Sequence, residues 1–265
     1  MSVRPDAERR VPPRTDRDVW FRIHPASTAE SRLRLICLPP AGAGVGAFHG
    51  WTGMRPGWLE LDLVQLPGRD ARLREPLPGD LRRLARTIRK QVAALVDDDD
   101  VPYALFGHSM GGLLAYEIAA ALDACAVRPP EVLFVSGIVS PDDVVEQARM
   151  VRELDPVDVV RGVAGAIEEL VDRPELLQIF LPVAVSDMGM IDTYRPSHHV
   201  LSCPIVVFEG DADPLTGFAD VAAWARWTRG GFARRTFPGG HHYPTERPEL
   251  VVAAVAELAR AYVEW

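Results

Sequence analysis

The chain has 265 residues, with 37 acidic against 29 basic side chains, a formal charge of −8, and 48% hydrophobic and 25% charged residues. Those figures suit one soluble α/β domain with a sizeable core, and the acidic balance argues against nucleic acid as a partner. No run of roughly 18 apolar residues occurs, so no membrane span is expected; the three scattered cysteines, Cys37, Cys125 and Cys203, suit reduced thiols in a cytoplasmic protein better than a disulfide frame or a zinc site.

In chain order, residues 1–16 are polar, rich in Arg and Pro, and lack the apolar stretch of a signal peptide. They read as a disordered tail, leaving 17–265 as the folded domain. The segment 17–24 is a candidate antiparallel edge strand. "LRLICL" (33–38) and "LDLVQL" (61–66) read as buried parallel strands, and the loop "PPAGAG" follows the first of them. Over 80–96, Leu81, Leu84, Ile88, Val92 and Leu95 share one helix face, with Asp80 as the N-cap. The acidic run Asp97–Asp100 reads as a solvated loop. "YALFG" (103–107) is a further strand, leading into a helix over 110–122, and "VLFVSG" (132–137) is the next. The interval 140–200 shows no strand pattern. Helix-like pieces at 151–165 and 174–194 make it a helical lid rather than a structureless loop. "PIVVFEG" (204–210), a helix over 218–228, "ARRTFPG" (233–239) and a helix over 248–263 complete the chain. This alternation predicts a mostly parallel sheet covered by helices on both faces.

Chemistry concentrates in the loops that follow strands. In "FGHSMGG", Gly107, Ser109 and Gly111 form G-x-S-x-G between a strand and a helix, the setting in which that motif holds a nucleophilic serine on a sharp turn. A Cβ at either glycine would crowd the turn. Ser109 then sits at a helix N-terminus, where the Met110 amide and the helix dipole can stabilise an oxyanion. A serine hydroxyl needs a base, and the base needs an orienting acid. On this architecture the acid and then the histidine follow, each after a core strand. "GDADP" offers Asp211 and Asp213; Asp213, farther past the strand and stiffened by Pro214, is preferred, with Asp211 the alternative. "FPGGHHYP" offers His241 as the base, directly after Gly239-Gly240, with His242 beside it. Pro39 and Pro40 have no N–H to donate, so Ala41 is the first possible second oxyanion donor. Pro40, His108 and His242 are candidate substrate contacts, while His198 and His199 read as solvated loop positions. HExxH, GxxxxGK[ST] and GxGxxG are absent, so no metal and no cofactor is expected.

Together, "LPPAGAG" with "AFHGW", "VQLPGRDARLREP", "FGHSMGGLLAYE", "LFVSG", "TYRP" at 193–196, "GDADP" and "FPGGHH" resemble the type II thioesterases. These are stand-alone α/β-hydrolases that accompany polyketide synthases and non-ribosomal peptide synthetases. The resemblance runs from Val19 to the C-terminal helix, and Gln65–Arg69 with Arg72 separates it from general esterases and lipases. It implies an α/β-hydrolase fold with a lid insertion at about 140–200, a Ser109–His241–Asp213 triad and an oxyanion hole made by the Met110 and Ala41 amides. The implied substrate is an acyl group on the phosphopantetheine arm of an acyl or peptidyl carrier protein. The implied role is editing, the removal of wrong or stalled acyl groups in natural-product biosynthesis. A carboxylesterase or lipase with the same triad is the alternative, and a catalytically inactive hydrolase fold that serves as a binding protein is a further one. Two positions depart from the family pattern: Pro40 stands where histidine is frequent, and His242 where an aromatic residue is frequent. Docking to an acidic carrier calls for a local basic patch. Arg69, Arg72 and Arg74, or Arg226, Arg229, Arg234 and Arg235, are the candidates. A cytoplasmic monomer is expected.

Overall fold

Seven strands make one sheet: β1 (Phe21–His24), β2 (Leu33–Leu38), β3 (Leu59–Val64), β4 (Tyr103–His108), β5 (Leu133–Ser136), β6 (Ile205–Gly210) and β7 (Phe232–Phe237). The computed structural model describes residues 15–26, 32–152, 174–217 and 219–263. The strand order is β1-β3-β2-β4-β5-β6-β7, with β1 antiparallel to β3 and all other neighbours parallel. Every residue of β2, β3, β4 and β5 is buried, as strands covered on both faces should be, the charged Arg34, Glu60 and Asp62 among them. Alternate side chains serve opposite faces: Leu35 and Phe106 join one apolar cluster, Ile36 and Leu105 the other.

The helices are α1 (Asp16–Trp20), α2 (Leu81–Asp97), α3 (Met110–Ala124), α4 (Val144–Arg152), α5 (Pro174–Thr193), α6 (Tyr243–Glu246) and α7 (Pro248–Ala259), with 3-10 helices at Val45–Trp51, Asp70–Arg72 and Val221–Trp227. One sheet face is covered by α2, α3 and the 3-10 helix bearing Trp224 and Trp227; the other by α7 and the 3-10 helix bearing Phe48 and Trp51. In α2 the Asp80 carboxylate accepts the Arg83 N–H at 2.6 Å, and Leu84, Ile88, Val92 and Leu95 are buried. Each such side chain contributes about 1.5–3 kcal/mol by leaving water.

The chain leaves β2 for β3 on one side of the sheet and then crosses to β4 on the other. That reversal falls at β2 and β4, and sheets of this type bind ligands outside the carboxyl ends of the strands at such a point. The loops carrying Ala41, Ser109, Asp213 and His241 all leave the sheet at that end.

The local differences from the sequence reading have physical causes. Only 21–24 of the segment 17–24 is strand, because a reciprocal Thr15–Asp18 capping box winds Asp16–Trp20 into a helical turn. The predicted strand 61–66 is shifted back to Leu59–Val64, since the Gln65 side chain instead binds the Asp18 and Val19 carbonyls at 3.1 Å. Residues 233–239 stop being strand at Phe237, and Gly239 turns the chain at φ 128°. The predicted helix 218–228 is the 3-10 helix 221–227, capped by Asp220, and the last helix ends at Ala259. The acidic run is not merely solvated: Asp99 grips the buried Arg34 guanidinium at 2.8 Å. In the lid interval the helix α4 was not foreseen, α5 matches the second predicted piece, and most of 151–165 lies outside the described residues, as do residues 1–14.

Candidate active site

Ser109 lies between the last residue of β4 and the first of α3, at φ 53° and ψ −122°. Such a conformation costs about 1–3 kcal/mol for a residue with a side chain and persists only where its surroundings impose it. Here the Ser109 N–H donates to Ser136 O at the end of β5 at 2.8 Å. The flanking glycines let the chain turn: a Cβ on Gly107 would strike the Gly111 carbonyl, and one on Gly111 would strike the Leu38 carbonyl of β2. Met110 opens α3, so its N–H has no intrahelical acceptor and is available to a ligand.

The base side is assembled from the ends of β5, β6 and β7. His241 Nδ1 lies 2.8 Å from Asp213 Oδ2, and both residues are buried. A carboxylate only accepts, so Nδ1 carries the proton and Nε2 the lone pair. The other Asp213 oxygen accepts the Leu215 N–H at 2.9 Å, which fixes the carboxylate. Asp211 instead accepts the Gly239 N–H at 2.9 Å, stapling the loop after β6 to the loop after β7. The loops meet closely because Gly210 has no side chain; a Cβ there would lie 2.6 Å from Gly239 O. Behind His241 stands His108, with ring centroids 4.8 Å apart. His108 Nδ1 contacts Ser136 Oγ at 3.0 Å, and Ser136 Oγ contacts the Tyr243 hydroxyl at 2.5 Å. Burial, followed by the nearby His241 and His242, pushes the His108 pKa well below the usual histidine range. The ring is neutral and adds no positive charge behind the base. Among the described residues the Ser109 hydroxyl makes no hydrogen bond; contacts of this kind often tighten only when substrate binds.

The opposite side is the loop after β2, held by charged groups from far along the chain. Asp187 of α5 accepts the Gly42 N–H at 2.8 Å and pairs in bidentate fashion with Arg69, at 2.6 and 2.8 Å. Arg69 also donates to Ala43 O at 2.9 Å, and Asp70 accepts the Val45 N–H at 2.9 Å. A Cβ on Gly44 would collide with that Asp70 carboxylate, which explains the glycine. These bonds engage the residues after Ala41 and leave the Ala41 N–H uncommitted among the described residues. Arg72 has a separate task. Its guanidinium lies 3.7 Å from the Trp20 ring centroid, donates to Gln65 O at 2.8 Å and pairs with Glu75.

A serine on a strained strand–helix turn, beside an aspartate-bound histidine at the carboxyl end of a parallel sheet, is the arrangement of a hydrolase. The model of the thioesterase domain family matches residues 33–259. The chain belongs to the thioesterase family. Thioesterase PikA5 of Streptomyces venezuelae is 35% identical over 240 residues, covering 88% of this chain and 82% of that protein. RedJ, a thioesterase from the prodiginine biosynthetic pathway of Streptomyces coelicolor, gives a TM-score of 0.75 at 33% identity, covering 88% of each chain. The type II thioesterase BorB from the borrelidin biosynthetic cluster gives 0.71 at 31% identity, covering 92% of this chain and 97% of that one. The resemblance to type II thioesterases and the α/β-hydrolase fold are therefore shown, and the enzyme is a hydrolase acting on thioesters.

Several sequence-based expectations for the thioesterase need correction. His108 is 4% exposed and packs inside the elbow, behind His241. His199 is not a free loop position, since its Nε2 meets Asp123 at 2.7 Å; His198 is an exposed loop position as expected, its ring 5.4 Å from that of Trp227. Neither arginine cluster is a free basic patch. Arg69 and Arg72 are buried, and Arg226, Arg234 and Arg235 face Asp142, Glu209 and Glu257. His242 lies beside the base, its ring 5.6 Å from that of His241, and Pro40 borders the Ala41 turn. Sequence reasoning missed Asp187 entirely. It also missed Gly137, where a Cβ would lie 2.5 Å from His108 Cε1 and 3.2 Å from His241 Cε1. "TYRP" proves to be an anchor: the buried Tyr194 hydroxyl donates to Glu117 of α3 at 2.8 Å, fastening the return from the lid. Among the described residues no group of His, Cys, Asp and Glu could hold a metal ion, and no helix is long and apolar enough to cross a membrane.

Proposed function

We propose that this thioesterase hydrolyses acyl groups from the phosphopantetheine arm of acyl or peptidyl carrier proteins, and that its role is editing in cytoplasmic polyketide or non-ribosomal peptide biosynthesis. The observation that carries the catalytic part is the 2.8 Å contact between His241 Nδ1 and Asp213 beside the Ser109 elbow. The biosynthetic part is supported by relatives such as PikA5 and BorB.

In the proposed mechanism His241 Nε2 takes the Ser109 proton as Oγ attacks the thioester carbonyl. The oxyanion is stabilised by the Met110 and Ala41 amides, aided by the N-terminal dipole of α3. Asp213 holds the imidazole in the required tautomer and stabilises the imidazolium. Collapse expels the phosphopantetheine thiolate, a better leaving group than an alkoxide because thiols are far more acidic than alcohols (a cysteine thiol has a pKa of about 8.5). His241 returns the proton to the thiolate. Water then attacks the acyl-enzyme with the same base, releasing a carboxylic acid and regenerating Ser109.

Turnover of acyl-loaded carrier protein by wild type and Ser109→Ala tests this reading. Loss of about three or more orders of magnitude is expected, together with loss of fluorophosphonate labelling. Near-normal hydrolysis by the variant would overturn the nucleophile assignment. Faster turnover of the matching oxygen ester would favour the carboxylesterase alternative.

A further inference from the structure

We propose that the exposed face of α2, with Leu77 and Val185 at its active-site end, is the docking surface for an acidic carrier domain. This rests on the carrier-thioester reading above. From Leu81 to Val96 the helix contains no acidic residue, yet it carries Arg82, Arg83, Arg86, Arg89 and Lys90. Arg82, Arg83, Arg86 and Lys90 are exposed, and Arg89 is half-buried. Arg82 approaches Glu117 at 3.4 Å; among the described residues the other four form no ion pair. This occurs in a chain whose net charge is −8.

The arrangement does not serve the helix itself. Arg83, Arg86 and Lys90 follow the i, i+3, i+7 spacing of one stripe, so like charges repel along it. Arg82 and Arg83 also occupy the first turn, the positive end of the helix dipole. An acidic partner turns both liabilities into attraction. The other arginine-rich surfaces offer less, because most of their cations already have an acid of this chain: Arg69 has Asp187, Arg72 has Glu75, Arg226 has Asp142 and Arg235 has Glu257.

The stripe also begins in the right place. The Ser186 hydroxyl of α5 donates to Pro78 O at 2.8 Å, which sets the lid helix against the segment leading into α2. Leu77 and Val185 flank that contact and are 37% and 62% exposed. Two residues beyond Val185, Asp187 grips the Gly42 N–H next to the Ala41 amide. A carrier lying along Arg83, Arg86 and Lys90, a span of about 10 Å at 1.5 Å per residue, would touch the apolar pair at one end. Its phosphopantetheine arm would start beside the active site. Charge pairs of this exposed kind act mainly by accelerating encounter and are weakened by salt.

The test compares wild type with R83E/R86E/K90E on two substrates, an acetyl-loaded acyl carrier protein of net negative charge and acetyl-N-acetylcysteamine. The expected result is a drop of about tenfold or more in kcat/KM for the carrier substrate, with the small thioester unchanged. Salt should depress the wild-type carrier rate and leave the variant's nearly flat. Equal carrier turnover by both proteins overturns the docking surface, whatever other polyanion the helix binds. If the triple variant loses the small-substrate activity as well, R86E and K90E singly, with the wild-type salt profile, decide the matter, and a flat wild-type profile overturns it. Wild type that hydrolyses the small thioester but no loaded carrier sinks the carrier reading itself, a distinguishable failure.

Discussion

The two sides of the active site are built in different ways. The base side joins the ends of neighbouring strands: Asp213 and His241 follow β6 and β7, which pair in register, and the backing residue Ser136 ends β5, with Gly137 directly after it. The oxyanion side depends on a distant partner, since the loop after β2 is held by Arg69 and by Asp187, 118 residues apart in the chain. A geometry made by adjacent strands is fixed wherever the sheet folds. A geometry made by a buried ion pair from a lid helix is fixed only when that helix is docked. The first side therefore depends on the sheet alone, and the second also on the packing of α5.

The strongest way to break the comparison is to disable the base side without disturbing its packing. Asp213→Asn retains the volume but removes the carboxylate that sets the His241 tautomer. The expected loss of kcat is about 10⁴-fold. Asp211→Asn, which touches only the Gly239 N–H, should stay within a few-fold of wild type. If the two variants lose equal activity in a steady-state assay, the loop staple and the orienter are not separable and the assignment of Asp213 is wrong.

An intermediate effect is expected on the oxyanion side. Asp187→Asn keeps an acceptor for one N–H but breaks the bidentate pair and leaves the Arg69 charge buried. Breaking such a pair costs about 3–5 kcal/mol of stability, so a second variant is needed. In R69M/D187L both charges leave together, and stability should largely return. The rate should not, because the Gly42 N–H and the Ala43 carbonyl then lose their side-chain partners and the turn keeps only the Ala43 N–H to Pro40 O bond at 3.2 Å. We expect kcat to fall about 10–100-fold in both variants, less than the 10²–10³ for removing an oxyanion donor outright, with KM for a small thioester little changed. A double variant with normal kcat would show that the Ala41 turn holds itself and that the lid helix has no hand in it.

The same contrast explains what was legible in the sequence. The elbow and the loops with Asp213 and His241 were readable because each is a local signal placed by a strand end. Gly107, Gly111 and Gly210 are glycines for reasons visible in a turn. Asp187 carried no such signal: it lies in a mostly apolar helix, and only the tertiary fold brings it to Arg69. Arg69 and Arg72 were misread as surface charge, because sequence does not show that an arginine's partner is inside the protein. Strand ends drifted by two residues at β3 and β7, where a side-chain cap and a left-handed glycine overrode the apolar pattern.

The smallest expected effect separates the two sides by pH. His108 is kept neutral by burial, with its own Nδ1 on Ser136 and His241 at its back. Below about pH 6.5 the unfolded chain accepts a proton that the native ring refuses. Stability must then fall as pH falls through that value, by at most about 1.4 kcal/mol per pH unit for this one proton. His108→Gln removes the group, so the difference in unfolding free energy between wild type and variant should slope between pH 6.5 and 5 and be flat above pH 7. The difference is the quantity to measure, because Asp62 acts in the opposite sense. Its carboxyl, buried in β3, is pushed up to about 7, chiefly by burial and by Glu60. The native carboxyl therefore holds its proton while the unfolded one loses it, and stability falls as pH rises from about 4 to about 7. In wild type alone the two slopes overlap and mask each other; subtracting the His108→Gln profile cancels the Asp62 contribution. The same subtraction in the Asp187→Asn background, Asp187→Asn against Asp187→Asn/His108→Gln, should leave the slope unchanged if the two sides of the site are independent. A slope that changes would mean that the neutral histidine and the lid pair belong to one coupled unit.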